Sequence, residues 1–236
     1  MSIKAVLFDM DGTLLPVDYD VFVKTYFGLL AQHMTKFGYQ PQEYVESVWS
    51  GTKAMIKNDG TKTNSQAFWD EYARIYGENA RQDETVLNEF YVTDFDKVRS
   101  VCGENPKAAI AVREMQKLGL SCVLATNPLF PECATISRMR WVGLEPSDFV
   151  HYTTYENSSF AKPSIGYYKG IVEKLGLDAS ECLMVGNDVD DDMVPQSIGM
   201  KVFLLTDFLI NEGNKDISIY PNGSFDDLIN YVKANI

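Results

Sequence analysis

Basic residues are scarce in this chain: 21 lysines and arginines stand against 33 aspartates and glutamates, for a formal net charge of -12 at pH 7. This balance argues against nucleic acid or an anionic membrane as the main partner, since both are held by a basic surface. It leaves anionic substrates open, because a metal ion and a few lysines reverse the potential inside one cleft. Histidine is scarcer still, with two in the whole chain, and the four cysteines (Cys102, Cys122, Cys133 and Cys182) include no CxxC pair. A zinc site is therefore poorly supported. The thiols read as reduced, with Cys122 and Cys182 packed near strands, which is the expectation for a cytoplasmic protein. No segment reaches the roughly 18 to 20 continuous apolar residues of a membrane helix, and no basic stretch followed by an apolar core and a cleavage site marks the start. Export and membrane insertion are not expected. The sequence also lacks internal repeats, low-complexity tracts and long linkers.

What is present is the composition of an ordinary globular protein, with 45% hydrophobic and 23% charged residues over 236 positions. The length suits one large domain or two smaller ones. Two textures divide it. From Asp18 to about Phe95, apolar and aromatic residues recur at three- and four-residue spacings: Val21, Tyr26, Leu29 and Leu30, then Tyr44, Val45 and Val48, then Phe68, Trp69 and Tyr72. This predicts helices with core-facing aromatics. A turn cluster, Lys57 to Lys62, interrupts them, and Asn64 or Ser65 is placed to cap the helix that follows.

Beyond Phe95, helices alternate with short apolar strands. The predicted helices are Pro106 to Leu118, Pro131 to Val142, Ser164 to Leu175, Asp191 to Ile198 and Phe225 to Ala234, and the strands are Ser121 to Ala125, Phe149 to Thr153, Glu181 to Val185 and Lys201 to Leu205. Such alternation implies a parallel sheet covered on both faces. The apolar run Ile3 to Phe8 supplies the first strand. The expected fold is therefore α/β, a core of residues 1–15 and 96–236 with a helical domain, residues 16–95, inserted after that strand.

Two carboxylates one residue apart, Asp9 and Asp11, leave the first strand and enter the turn Gly12-Thr13. Groups at the carboxyl end of a parallel strand face the ligand crevice, and an extended backbone sends both side chains the same way. Unit charges roughly 4 Å apart repel by about 4 kcal/mol at an effective dielectric of 20, so the pair calls for a cation, a shared proton or solvent. It reads as a nucleophile beside a proton donor, against a plainer reading in which Asp11 only caps a turn.

Three further groups fall at strand ends. Thr126-Asn127 offers a hydroxyl and backbone amides to phosphate oxygens, or else forms a turn before Pro128. Lys162, restricted to an extended conformation by Pro163, is a point charge for phosphate or crowded carboxylates, or a solvated surface lysine. Gly186-Asn187-Asp188-Val189-Asp190-Asp191-Asp192 gathers hard oxygen donors suited to magnesium. Some of these aspartates would only favour the positive end of a following helix.

Taken in order, these four segments resemble the haloacid dehalogenase-like hydrolase superfamily over essentially the whole chain. The resemblance implies a Rossmann-like core with an inserted helical cap, Mg2+ dependence and reaction through an aspartyl phosphate. Asp9 would attack phosphorus, and Asp11 would protonate the leaving oxygen and then activate water. Thr126 and Asn127 would bind the transferred phosphoryl group, and Lys162 would offset the charge of Asp9 and phosphate. Magnesium would be held by Asp9, the Asp11 carbonyl and an acidic side chain of the fourth motif. There Asn187 stands where much of the family has a metal-binding aspartate. Either its amide oxygen serves as a neutral ligand or Asp188 takes over, and the anionic oxygen favours Asp188. Asp192 matches a later family aspartate that binds metal or orients the lysine.

The expected activity is that of a phosphatase on a small phosphorylated metabolite. The dehalogenase subgroup lacks an acidic residue at the place of Asp11. A sugar phosphomutase on the same core is the nearest enzymatic alternative, and a non-catalytic binding or regulatory module is the alternative of another class.

Overall fold

A computed structural model describes residues 2–236. Its centre is a six-stranded, all-parallel sheet in the order β3-β2-β1-β4-β5-β6, built from β1 (Ala5–Phe8), β2 (Ser121–Leu124), β3 (His151–Tyr152), β4 (Cys182–Gly186), β5 (Lys201–Leu205) and β6 (Asn222–Gly223). The run Ala5 to Phe8 is continuously apolar because both faces of β1 are covered. Val6 and Phe8 pack into one hydrophobic cluster, and Ala5 and Leu7 into another on the opposite face. β4 repeats the pattern, with Leu183 and Val185 on the first side and Cys182 and Met184 on the second. Alternation along a strand buried on two sides requires this division.

After β1 come four helices in succession, α1 (Tyr19–Thr35), α2 (Pro41–Ile56), α3 (Asn64–Tyr76) and α4 (Asp83–Thr93), with no strand of the sheet among them. Their aromatic stripe is core, with Tyr26, Tyr44, Phe68, Trp69 and Tyr72 all buried in the cluster that also receives Val6 and Phe8. The remaining helices cover the sheet: α5 (Pro106–Lys117), α6 (Glu132–Trp141), α7 (Ile165–Leu175) and α8 (Phe225–Lys233).

The cap of α3 is Thr63 rather than Asn64 or Ser65, in a reciprocal capping box with Gln66. Asn64 has other work. Fully buried, it donates from Nδ2 to the carbonyls of Pro128 (3.1 Å) and Phe160 (3.2 Å), tying the helical block to two loops at the carboxyl edge of the sheet.

Two predicted elements are shorter than their hydropathy suggested. Only His151–Tyr152 of the strand Phe149 to Thr153 pairs with β2. The predicted helix from Asp191 to Ile198 is instead a series of turns followed by a 3-10 stretch, Val194–Ile198. There Pro195 has no N–H to give a helical ladder, and Asp188 Oδ1 accepts from the Asp190 and Asp191 amides, which favours a turn. The short strand β6 carried no apolar signal.

The strand order sets the place of the site. From β1 the chain runs outward to β3 and then returns to β4 on the other side of β1. A crevice opens where the order reverses, between the loops that leave these strands.

Candidate active site

Asp9 follows β1 directly, and its backbone N–H still donates to the Val185 carbonyl of β4 (2.9 Å), so the carboxylate stands on the last paired rung of the sheet. Lys162 Nζ lies 2.7 Å from Asp9 Oδ1 and 2.7 Å from Asp192 Oδ1, and its side chain is 1% exposed. It is not a solvated surface lysine. Burial works against its charge, but Asp192 and Asp9 outweigh burial and hold the ammonium well above the ordinary lysine range. Its backbone N–H donates to Asn127 Oδ1, which joins the loops after β2 and β3.

Asp192 is equally buried, and both of its oxygens are committed. Oδ1 receives Lys162, while Oδ2 accepts the backbone N–H groups of Asn187 and Asp188 (3.1 Å each). Gly186 permits this closeness, because a Cβ there would sit 2.0 Å from Asp192 Oδ2. Asn187 is also spoken for: its Oδ1 accepts from Thr13 Oγ1 (2.9 Å) and its Nδ2 donates to the Phe208 carbonyl (2.7 Å). The β1 turn fits against it through Gly12, whose φ of +84° and lack of Cβ are both required, since a Cβ would approach Asn187 Nδ2 to 2.3 Å.

Asp11 shares the cleft but turns one oxygen to a partner outside the predicted set. Arg138 of α6, wholly buried, places Nη1 2.5 Å from Asp11 Oδ2 and stacks its guanidinium over the Phe130 ring at 4.6 Å. The other oxygen of Asp11 has no hydrogen-bond partner among the described residues. Burial raises the pKa of Asp11 above the usual carboxylate range, with Arg138 opposing and Asp9 reinforcing the shift. A carboxyl so tuned is suited to carry a proton.

Arg138 escaped the sequence reading, although a signal existed. It lies three and four residues after Thr135 and Ala134, on the buried stripe of α6, whereas Arg140 is exposed and pairs with Glu145. A charge on an apolar face requires a buried partner.

Asp9, Asp11, Asn127, Lys162, Asn187, Asp188, Asp191 and Asp192 line one cleft of about 280 Å³. Thr126 lies behind this wall, 1% exposed, with its carbonyl accepting from Thr153 and Tyr167. Asp191 was not singled out in sequence, yet its carboxyl faces the cleft and is pushed up to about 6 by burial, with Asp188 and Asp9 adding repulsion against the pull of Lys162. His33, a conceivable acid in the helical block, is instead buried beside Asp94, with Nδ1 2.8 Å from its carboxylate.

The donor set fits a hard divalent cation. Among the described residues no three acidic, histidine or cysteine side chains already converge on one point, but magnesium takes one or two carboxylates and keeps several waters. Asp9, Asp188 and Asp191 bring three carboxylates to a cleft in which Lys162 is the only lysine or arginine among the described lining residues. Both oxygens of Asp192 and the amide of Asn187 are taken up by their own hydrogen bonds. Asp9 and Asp188 each have one oxygen outside the contacts to Lys162 and to the Asp190 and Asp191 amides, and Asp191 and Glu212 also line the cleft.

Sheet order, inserted helices and strand-end charges together define an α/β protein with a charged cleft where the strand order reverses. The profile of the haloacid dehalogenase-like hydrolases matches residues 3–197, and the chain belongs to that family. A comparison with curated protein sequences finds no match. Solved structures resemble it over nearly the full length at low identity. A HAD phosphatase from Thermococcus onnurineus is 17% identical with a TM-score of 0.59, covering 98% of each chain. A 2-haloacid dehalogenase from Pseudomonas syringae pv. Tomato DC3000 is 18% identical with a TM-score of 0.63 and the same coverage of 98% of each chain. YfnB from Bacillus subtilis, described as a HAD-hydrolase and solved bound to magnesium, is 15% identical with a TM-score of 0.56, covering 98% of this chain and 99% of its own. At these identities the likeness establishes the fold.

The four cysteines are free, with Cys122 in β2 and Cys182 in β4 both buried. Among the described residues no helix is long and apolar enough to cross a membrane.

Proposed function

We propose that this hydrolase is a magnesium-dependent phosphatase acting on a small phosphorylated metabolite through a phosphoryl group carried by Asp9. The observation that carries the reading is the triad Asp9-Lys162-Asp192, a carboxylate fixed at 2.7 Å to a buried ammonium at the end of β1, with Asp11, whose pKa burial raises, in the same cleft. A nucleophilic carboxylate and a separate acid with a raised pKa are what two-step phosphoryl transfer needs.

In the first step an Asp9 oxygen bonds to phosphorus as the ester P–O bond breaks, and the Asp11 proton passes to the leaving oxygen. In the second, Asp11 takes a proton from water, the water oxygen bonds to phosphorus, and the bond to Asp9 breaks. Lys162 compensates charge on Asp9 throughout, and the amide of Asn127 binds phosphoryl oxygens in this reading. Magnesium, held by Asp9 with Asp188 or Asp191 and the Asp11 carbonyl, would neutralise the charge of the phosphoryl oxygens. The block from α1 to α4 acts as the cap that shields the cleft from water between the steps.

The test is phosphate release from an aryl phosphate with magnesium present. Turnover that disappears in Asp9→Asn is the expected result, and no turnover across phosphorylated sugars, nucleotides and organic acids would count against the enzyme. A phosphomutase would instead return the phosphate to the sugar, visible as isomerisation without free phosphate.

A further inference from the structure

Beside the charged cleft lies a second cavity of different chemistry, of about 70 Å³, roofed by α1 to α4 and floored by residues 129–131. The two spaces share Asp11, Tyr19, Leu129 and Phe130 in their walls, so the acid that would protonate a leaving oxygen stands at the boundary between them. Asp11 is the only charged side chain among the described residues of the second cavity.

The hydroxyl groups there are largely occupied. Tyr26 and Tyr91 bond to each other at 2.7 Å, and Thr52 Oγ1 donates to the Val48 carbonyl at 2.9 Å. The rest of the surface is aromatic or aliphatic, with the Trp49 indole among it. Interiors pack densely, and an unfilled space of this kind beside a reactive carboxyl is costly to keep unless a ligand group fills it.

We infer that this cavity receives the leaving group of the substrate, and that the leaving group is compact and apolar, a branched alkyl or small ring system, in place of a sugar or other polyol. The inference rests on the phosphatase reading for what happens at Asp9, but the preference for an apolar group follows from the cavity itself. A single water needs roughly 10–15 Å³ of such space, so a cavity of about 70 Å³ admits about five to seven heavy atoms. A polyol buried here would lose its hydrogen bonds to water, and the Tyr26, Tyr91 and Thr52 hydroxyls in the wall are already engaged with one another or with backbone. An alkyl group loses nothing of that kind.

Two primary phosphate esters test this, 2-methylbutyl phosphate and glycerol 1-phosphate. Their leaving groups share one branched skeleton and differ in having methyl groups where glycerol has hydroxyls. The expected result is a kcat/KM about ten-fold or more higher for the alkyl ester, and a ratio that collapses toward one in Thr52→Met, which fills the cavity. Equal efficiency, or a preference for glycerol 1-phosphate, overturns the inference while leaving the phosphatase reading in place.

Binding of the uncleavable 2-methylbutylphosphonate and methylphosphonate, measured by calorimetry with magnesium present, decides the matter without turnover. Tighter binding of the larger phosphonate, lost in Thr52→Met, supports the apolar pocket even if neither ester is hydrolysed. In that event it is the phosphatase reading that fails. Equal affinity for the two phosphonates overturns the pocket.

Discussion

Replacing Arg138 by methionine removes the cation paired with Asp11 and keeps most of the volume over Phe130. The guanidinium is 0% exposed and 2.5 Å from Asp11 Oδ2, while Asp11 keeps 24% of its side-chain surface in solvent. Breaking a fully buried pair costs about 3–5 kcal/mol, and the residual hydration of Asp11 reduces this to about 2–4 kcal/mol at pH 7.5. With a urea slope near 3 kcal/mol/M, the upper end for small proteins, the unfolding midpoint should fall by about 1 M.

The sign of the pH dependence follows from Asp11, whose folded-state pKa is raised by burial. Above that pKa the ionised carboxylate needs its counter-charge. Below it the neutral carboxyl does not, and wild type is left with an unpaired buried guanidinium. The difference between the two proteins should therefore shrink as the pH is lowered through the Asp11 pKa. In an Asp11→Asn background, Arg138→Met should cost about 1–3 kcal/mol less than in wild type at neutral pH. Equal losses in the two backgrounds would refute the ion-pair argument and leave only packing over Phe130.

Lys162→Met should lower kcat by about 100-fold or more in steady-state assays, since Asp9 and Asp192 would face each other without a counter-charge; a loss under three-fold would remove the lysine from the mechanism. Magnesium affinity measured by calorimetry should fall about ten-fold or more in Asp188→Ala and by less in Asn187→Ala, whose main effect should be about 1–2 kcal/mol of stability through Thr13 and Phe208. If only Asn187→Ala weakens the metal, the ligand assignment is wrong. His151 is pulled down to about 4 from 6.5 by burial, with Lys174 contributing, so it favours the folded state above pH 6.5 and that contribution is lost as pH falls toward 4. After allowance for its partial exposure this is about 1–2 kcal/mol, and His151→Gln should flatten the fall in the urea midpoint over that interval by a matching amount; an unchanged slope would contradict it.

The sheet was readable because local pattern and tertiary need coincide. A run such as Ile3 to Phe8 is apolar at every position only where both faces are buried, and β1 divides its side chains between two clusters. Asp191 to Ile198 misled because its composition tolerates a helix, whereas the Asp188 side chain and Pro195 impose turns. Thr126 misled for another reason: a strand-end hydroxyl looks available in sequence, but whether it faces the cleft depends on a backbone twist that only the folded loop fixes.

By itself the sequence determined the α/β class and the insertion of helices after the first strand, and it drew attention to Asp9, Asp11, Lys162 and the acidic loop as local signals that the structure brings to one cleft. Tertiary structure alone decided how these groups are paired. Arg138 reaches Asp11 across 127 positions and Lys162 reaches Asp9 across 153, and no spacing in the chain encodes such contacts. The loops at the reversal of strand order bring them together, and the apolar space beside Asp11 exists only between helices and core that are far apart in sequence.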